Sequence, residues 1–149
     1  MQEPLYLDDF KVGQRFESAT HALDAAQIKR FAAEFDPQPF HLDEAAAEQS
    51  FFGGLAASGW HVASLTMRLL VDGTIPIGSG NIGAGVDITW PKPTRPGDVL
   101  QVFSEVTEVR PSRSKPDRGI VTIRSETRNQ HGDVLQVLTS RMLVLRKAE

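Results

Sequence analysis

The sequence contains no cysteine among its 149 residues. This absence excludes disulfide bonds, thiolate metal sites, iron–sulfur clusters and thiol nucleophiles. No uncharged apolar run approaches the roughly 20 residues that a membrane helix needs. The first residues, Met-Gln-Glu-Pro, show neither the basic nor the apolar region of a secretory signal peptide. We therefore expect a soluble, cytoplasmic protein.

An excess of positive charge is also lacking. The chain has 16 basic and 19 acidic residues, for a net charge of −3, which argues against a protein built mainly to hold nucleic acid. Hydrophobic residues make up 40% and charged residues 23%, as is usual for globular proteins. Because no repeat, linker or low-complexity tract divides the chain, we predict one domain over residues 1–149.

The first half of the chain is patterned for helices. Asp24-Ala-Ala-Gln27 is a capping-box sequence, and apolar residues follow it at helical spacing: Ile28, Phe31, Ala32 and Phe35. Pro37 and Pro39 predict the end of that helix, and Asp43 can cap a short helix that ends near residue 49. A third helix, over about 59–71, has apolar residues on every side, which predicts a buried helix.

The second half is patterned for strands. We predict strands there near 81–90, 99–110, 119–130 and 134–146, with a hairpin turn over Gln130-His-Gly-Asp133. One further strand is predicted in the first half, near 15–23. Early helices followed by long antiparallel strands indicate an α+β fold, with one curved sheet wrapped around the apolar helix. Such a sheet leaves another apolar area open, so we expect a homodimer, with further assembly left undecided.

Asp36 and His41 form the most informative pair, five residues apart in the proline-stiffened segment Asp36-Pro-Gln-Pro-Phe-His41. A carboxylate can hold a water or fix an imidazole tautomer, and imidazole titrates near neutral pH, so the pair suits general acid–base catalysis. A structural alternative exists, since Asp before Pro commonly starts a turn and a His after an aromatic residue can fill a crevice. From these residues alone, the structural interpretation is favoured.

Gly59 is a candidate oxyanion donor. If it begins the apolar helix, its backbone N–H points out of the positive end of the helix dipole. Such a donor can stabilise a thioester enolate, and glycine lets a ligand approach the backbone closely. The alternative is that Gly59 only starts the helix, with Ser58 as the cap, and both can hold at once.

These residues resemble a known family. Asp36-Pro-Gln-Pro-Phe-His41 is similar to the hydratase 2 motif, Asp-x-Asn-Pro-x-His, of the MaoC-like dehydratases, the (R)-specific enoyl-CoA hydratases. The likeness extends through Phe52-Gly-Gly-Leu-Ala56, Ser58-Gly59 and the segment from Trp90-Pro91 to Pro96-Gly-Asp98. Short matches near 113–115 and 129–132 follow, so the resemblance covers about residues 6–146.

The resemblance implies a hotdog fold, usually dimeric, in which an antiparallel sheet wraps a long central helix. It implies that Asp36 and His41 bind and activate water for reversible addition to a trans-2-enoyl thioester, giving the (R)-3-hydroxyacyl product. The Gly59 N–H would polarise the thioester carbonyl. Two residues depart from the family pattern, Gln38 in place of Asn and Ser58 in place of His. Either change could alter substrate choice or turnover, because active sites are sensitive to shifts of about 1 Å.

The remaining candidates concern binding. Around the catalytic pair, we expect the substrate to contact Gln38, Phe40, Phe52, Ser58 and Trp60. The loop 109–119 carries four basic residues and one acid, so Arg113 and Lys115 are candidates for the phosphates of coenzyme A, in the partner's site if the protein is a dimer. An ordinary solvated hairpin loop is the alternative. Among the four histidines, no His-x-His or His-x-x-x-His spacing occurs, so we predict no metal site, and coenzyme A enters only as part of the substrate.

Three functions therefore remain to be tested. The first is an enoyl-CoA hydratase, or 3-hydroxyacyl-CoA dehydratase, of fatty acid metabolism, which is a hydro-lyase without a metal or redox cofactor. The second is a hotdog acyl-CoA thioesterase, and the third is a non-catalytic acyl-CoA binding module. The acyl chain length, the carrier and the pathway are left open. His61, near the start of the apolar helix, is expected to be a core histidine whose ring nitrogens both have partners.

Overall fold

One antiparallel sheet of five strands forms the frame of the protein. The computed structural model describes residues 2–149. The strands are β1 (Arg15–Ala22), β2 (Ile82–Thr89), β3 (Val99–Pro111), β4 (Arg118–Arg128) and β5 (Val134–Leu145). They lie side by side in the order β1–β3–β4–β5–β2. Buried residues alternate with less buried ones along β3, β4 and β5, as expected for strands with one face against a core.

Four helices precede the long strands: α1 (Ala25–Phe35), α2 (Pro39–Leu42), α3 (Glu44–Glu48) and α4 (Gly59–Leu69). Asp24 caps α1 by accepting the Gln27 N–H at 2.9 Å, and Asp43 caps α3. The predicted capping box is only half formed. The Gln27 side chain bonds to His21 and the carbonyl of Ala22 instead of the Asp24 backbone.

The segment around His41 is more ordered than predicted. The sequence indicated a proline-stiffened loop, but α2 forms a helical turn between the two longer helices. Pro39 is the first residue of this turn. Proline is favourable there because a backbone N–H at the first helical position would have no acceptor within the helix. This turn places His41 in the interior, where it is 4% exposed.

Helix α4 lies across one face of the sheet. It buries His61, Val62, Thr66 and Leu69. Its opposite side is open, with Trp60 61% and Met67 45% exposed. The prediction that this helix is buried on every side was therefore wrong for the single chain, because one sheet covers only one side of a helix. An irregular turn, Leu70–Thr74, follows α4.

The core consists of two apolar clusters. One lies between the sheet and the end of α4, and it includes Leu7 and Phe10 from the lead-in segment. The other lies beneath the short helices, and its buried members are Leu23, Ile28, Ala47, Leu55, Ala57 and Val62. The second cluster supports the segment that carries Asp36 and His41.

A sheet wrapped around one side of a central helix is the hotdog arrangement, so the predicted α+β fold is confirmed. The predicted turn before β5 is also present: Asn129 and Asp133 pair through a backbone hydrogen bond of 3.1 Å, and Gly132 has a positive φ of 82°. Within residues 2–149, the helices are too short or too polar to cross a membrane.

Candidate active site

Asp36 and His41 face each other across a short gap. Nε2 of His41 lies 3.2 Å from Oδ2 of Asp36. Asp36 is the residue that ends α1, where its backbone N–H donates to the carbonyl of Ala32 at 2.9 Å. The end of one helix and the following helical turn therefore hold the pair together.

The other nitrogen of the His41 ring is also held. Nδ1 lies 2.6 Å from the carbonyl oxygen of Ala56, which can only accept a hydrogen bond. Nδ1 therefore carries a proton. Since Nε2 faces a carboxylate, the protonated imidazolium donates to both neighbours, and the neutral ring leaves Nε2 free to accept one.

Asp36 receives hydrogen bonds from its surroundings. Burial raises the pKa of its carboxyl, but hydrogen bonds from Gln38, Ser58 and His41, and the charge of His41, outweigh burial and hold the pKa below its usual value. The Gln38 amide donates to Oδ1. Gln38 therefore reaches the catalytic carboxylate although its side chain is one methylene longer than the Asn of the motif.

Gly59 begins α4, as predicted, and Ser58 is its cap. The Ser58 hydroxyl accepts the N–H of Trp60 at 3.3 Å. In residues 2–149, no acceptor is found for the Gly59 N–H. This donor therefore points from the positive end of the helix and is free to bind an oxyanion.

Trp90, which sequence reasoning did not assign to the site, packs directly against Gly59. A Cβ placed on Gly59 would lie 2.6 Å from Cε2 of Trp90. Glycine is therefore required at this position by the indole ring. Trp90 also packs edge-on against Trp60, with ring centroids 5.9 Å apart.

These groups line one open cavity of about 680 Å³. It contains seven of the ten residues predicted from the sequence: Asp36, Gln38, Phe40, His41, Phe52, Gly59 and Trp60. An eighth, Ser58, is fully buried beneath it beside Asp36. Asp36, His41 and the Gly59 N–H supply polar groups to the cavity. Five aromatic side chains that suit an acyl chain also line it: Phe40, Phe51, Phe52, Trp60 and Trp90.

Arg95 is a second residue that sequence reasoning missed. Its guanidinium donates to the carbonyls of Phe52, Gly54 and Leu55, the last two at 2.8 and 3.3 Å. These bonds fix the chain immediately before Ala56, whose carbonyl holds the His41 ring. The sequence signal for Arg95 is its position directly before Pro96-Gly-Asp98. The neighbouring residues do not indicate that its side chain reaches the carbonyls of Phe52, Gly54 and Leu55.

Arg113 and Lys115 do not join the site of their own chain. They lie in the connection between β3 and β4, where Arg113 lines a separate cavity of about 660 Å³ with Arg110 and Arg118. The site segment 90–95 comes before the other end of β3, whose 13 residues extend over roughly 40 Å.

His61 is buried without the hydrogen bonds that were expected. It is 6% exposed, and its Nδ1 has no partner within residues 2–149. The ring stacks on Phe31, with centroids 4.5 Å apart and planes 2° apart. Burial, and then the nearby His21, lower the pKa of His61 to about 4, so the ring is neutral at pH 7.

The chemistry of the site is that of a single acid–base pair beside an oxyanion donor. In the part of the chain that the structure describes, no three His, Asp or Glu residues are grouped to hold a metal ion. The carboxylate and the imidazole can exchange protons with a bound water, and the Gly59 N–H can polarise a carbonyl.

Comparisons with known proteins show the family and the fold of the chain. The family model of the MaoC-like domain matches residues 9–129. The crystal structure of a MaoC-like dehydratase from Rhodospirillum rubrum has 57% sequence identity and a TM-score of 0.96, over 97% of this chain and 99% of that one. An (R)-hydratase from A. caviae involved in PHA biosynthesis has 28% identity and a TM-score of 0.71, over 93% and 98% of the two chains.

Two curated relatives show the same likeness. The uncharacterized protein YdeM of Bacillus subtilis is 35% identical over 127 residues, which is 83% of this chain and 87% of the relative. A 3-hydroxybutyryl-CoA dehydratase of Methylorubrum extorquens is 31% identical over 112 residues, which is 74% of this chain and 69% of the relative.

Proposed function

The chain belongs to the MaoC-like domain family, and from this we propose that it is an (R)-specific enoyl-CoA hydratase, acting also in reverse as a 3-hydroxyacyl-CoA dehydratase. Its family includes dehydratases and (R)-hydratases, which are hydro-lyases. The observation that carries the proposal is the contact of 3.2 Å between His41 and Asp36 beside the free N–H of Gly59.

Water addition begins at the carboxylate. Asp36 has a lowered pKa and is ionised at neutral pH, so it accepts a proton from a water bound in the cavity beside the pair. The resulting hydroxide adds to the β-carbon of the enoyl thioester, and the π electrons move to the thioester oxygen. The Gly59 N–H stabilises this enolate, as an oxyanion hole does.

His41 completes the addition. His41 starts as the imidazolium, with protons on both nitrogens. Its Nε2–H protonates the α-carbon as the enolate collapses, which leaves a neutral imidazole and a protonated Asp36. The proton then returns from Asp36 to Nε2 across the short gap between them, and the site is ready again. The Ala56 carbonyl holds the other ring nitrogen throughout, so the ring does not need to turn.

The substrate is a thioester with a phosphate-bearing carrier, and the active form is a homodimer. Exposed apolar side chains near α4 and on the edge strand β2 support the dimer: Trp60, Met67, Ile82, Val86 and Trp90. Because Arg113 and Lys115 lie far from the site of their own chain, we assign them to the carrier phosphates at the partner's site. Coenzyme A is then part of the substrate, and we propose no separate cofactor.

The test is hydration of crotonyl-CoA and of longer trans-2-enoyl-CoAs, followed by loss of the enone absorbance. We expect turnover that falls at least a hundredfold in Asp36→Asn and in His41→Gln, since general acid–base groups contribute about 10²–10⁴. Asp43→Asn is a matched control, because Asp43 is a nearby acid whose side chain only caps α3. Full activity in Asp36→Asn would refute the mechanism.

The same samples separate the alternatives. A thioesterase releases a free thiol, which a thiol reagent detects, whereas hydration leaves the thioester intact. A binding module shows saturable binding of acyl-CoA without turnover at any chain length. Either result would refute the hydratase.

A further inference from the structure

A chain of hydrogen-bonded side chains runs inward from Trp90, whose ring lines the site cavity and is 42% exposed. Nε1 of Trp90 donates to Oε1 of Gln136, and Nε2 of Gln136 donates to Oγ1 of Thr66, both at 3.0 Å. The Thr66 hydroxyl donates to the carbonyl of Val62 at 2.8 Å and lies 2.6 Å from the hydroxyl of Thr127. Gln136, Thr66 and Thr127 are fully buried, so these side chains partner one another without water.

A second cavity lies beyond this chain of side chains. It has a volume of about 70 Å³, and its wall is mainly apolar, including Met67, Leu70, Val86, Ile123, Leu138 and Met142. On α4, Val62 lines the site cavity and Thr66 lies one helical turn further along. Leu70, directly after the helix, lines the second cavity. On β5, Gln136 precedes Leu138 on the same face of the strand. Thr66 and Gln136 therefore lie between residues that line the two cavities.

Trp90 is the member of this chain that the substrate would meet. Its ring lies against the Cα of Gly59, next to the N–H that would bind the thioester oxygen. An acyl chain that extends from this point toward the second cavity runs into the indole ring. Since Gln136 holds the ring through the indole N–H, moving the ring leaves a buried amide oxygen without its donor, which is unfavourable.

We propose that Trp90, held in place by Gln136, closes the acyl pocket and makes the protein selective for short acyl chains. Trp90 is thus a specificity-determining residue and Gln136 its positioning residue. The inference rests on the proposed function, since it takes the cavity around Asp36 and His41 to be the acyl pocket. Removing the indole ring would enlarge the site cavity on the side of Gln136 and admit a longer chain.

The experiment compares crotonyl-CoA with trans-2-decenoyl-CoA. In the unaltered protein we expect kcat/KM to favour crotonyl-CoA at least a hundredfold. In Trp90→Leu we expect this ratio to fall at least tenfold through a gain on the decenoyl substrate. Trp90→Phe keeps an aromatic ring but loses the N–H that Gln136 accepts, and Gln136→Leu removes the acceptor instead. In both variants we expect the ratio to fall, but by less than in Trp90→Leu.

Ser125→Ala is the matched control for disturbing a buried polar pair. It removes a buried hydroxyl contact with Ser104 of 2.7 Å on the same strand as Thr127, and Ser125 lines neither cavity. We expect its ratio of kcat/KM values to match that of the unaltered protein. A change in the ratio as large as that of Trp90→Leu would overturn the inference.

Binding of the saturated thioesters butyryl-CoA and decanoyl-CoA, measured by calorimetry, tests the inference without turnover. We expect decanoyl-CoA to bind more tightly to Trp90→Leu than to the unaltered protein, with butyryl-CoA changed less. If no enoyl-CoA is turned over but this shift in binding occurs, the proposed function fails and the role of Trp90 stands. The role of Trp90 is overturned if the unaltered protein binds decanoyl-CoA more tightly than butyryl-CoA. It is also overturned if the ratio of the two affinities is the same in the unaltered protein and in Trp90→Leu.

Discussion

The carbonyl oxygen of Ala56 lies 2.6 Å from Nδ1 of His41. The segment that leads into α4 thereby determines which nitrogen of the catalytic ring keeps its proton. Nε2 alone is left to exchange a proton with Asp36. A backbone acceptor suits this role, because it cannot itself become protonated at neutral pH and compete for the proton.

Gln38 is predicted to set the acid limb of the pH profile. Its amide donates to Asp36 and helps hold the pKa of that carboxyl below its usual value. Gln38→Leu removes this hydrogen bond, so the pKa of Asp36 rises. Since the ionised carboxylate is the active form, we expect the acid limb of kcat/KM to move to higher pH.

Gln38→Asn is the informative companion, because it restores the residue of the hydratase 2 motif. If the shorter amide still reaches Asp36, its acid limb stays close to that of the unaltered protein. The measurement is kcat/KM from pH 3 to pH 8 for the three proteins. An unshifted acid limb in Gln38→Leu would show that Gln38 does not tune the carboxylate.

Local patterns in the sequence are enough to predict most of the fold and the pairing of Asp36 with His41. The strands, the caps Asp24 and Asp43 and the start of α4 at Gly59 all follow from spacing and capping chemistry within a few residues. The motif from Asp36 to His41 is equally local. What these patterns share is that their physical cause lies inside one turn of helix or one strand.

The residues that sequence reasoning missed depend on long-range packing. Trp90 meets Gln136 across 46 positions of the chain, and Arg95 meets Gly54 across 41. Gln136 carried a weak signal, a glutamine within the apolar run Val134-Leu-Gln-Val-Leu138. A buried amide must find a partner, but the sequence alone does not identify that partner as the ring of Trp90.

Arg95 is predicted to position His41 at a distance. Arg95→Met removes the donors that fix the carbonyls of Phe52, Gly54 and Leu55. We expect the free energy of unfolding to fall by about 2 kcal/mol. We also expect kcat to fall about tenfold with KM nearly unchanged, because the Ala56 carbonyl then holds the His41 ring less firmly.

A readout specific to His41 separates positioning from general instability. In Arg95→Met, we expect the Nδ1 proton of His41 to exchange faster with solvent by NMR. Arg15→Met is the control, since Arg15 pairs with Glu105 at 2.9 Å on an exposed surface and its loss changes stability by less than about 1 kcal/mol. Unchanged exchange of the His41 proton, with kcat reduced equally in both variants, would contradict the positioning role.

Arg113 and Lys115 are predicted to act on substrate binding alone. In Arg113→Ser with Lys115→Ser, we expect KM for an enoyl-CoA to rise about tenfold and kcat to stay the same, because charge pairs with phosphate weaken while the acid–base pair is untouched. The KM of the unaltered protein should also rise with salt concentration. Enoyl-pantetheine, which lacks the nucleotide phosphates, is the control substrate. An equal rise in KM for both substrates would refute the phosphate contact.

His61 is predicted to make the fold sensitive to acid. Its pKa is about 4 in the folded protein, lowered first by burial, against about 6.5 in an unfolded chain. The unfolded chain therefore binds the proton more readily as pH falls from 6.5 to 4, and folding stability declines across that window. The decline approaches 3 kcal/mol in magnitude, at about 1.4 kcal/mol for each pKa unit.

His61→Phe tests this effect, because phenylalanine keeps the stack on Phe31 and removes the titrating ring. We expect its free energy of unfolding, from urea titrations at pH 7, 5.5 and 4.5, to fall less with acid than that of the unaltered protein. His131→Phe is the control, since His131 lies in the exposed turn before β5. The assignment fails if His61→Phe loses as much stability between pH 7 and 4.5 as the unaltered protein does. In that case the buried ring takes up its proton by moving to solvent, and its burial has no energetic consequence.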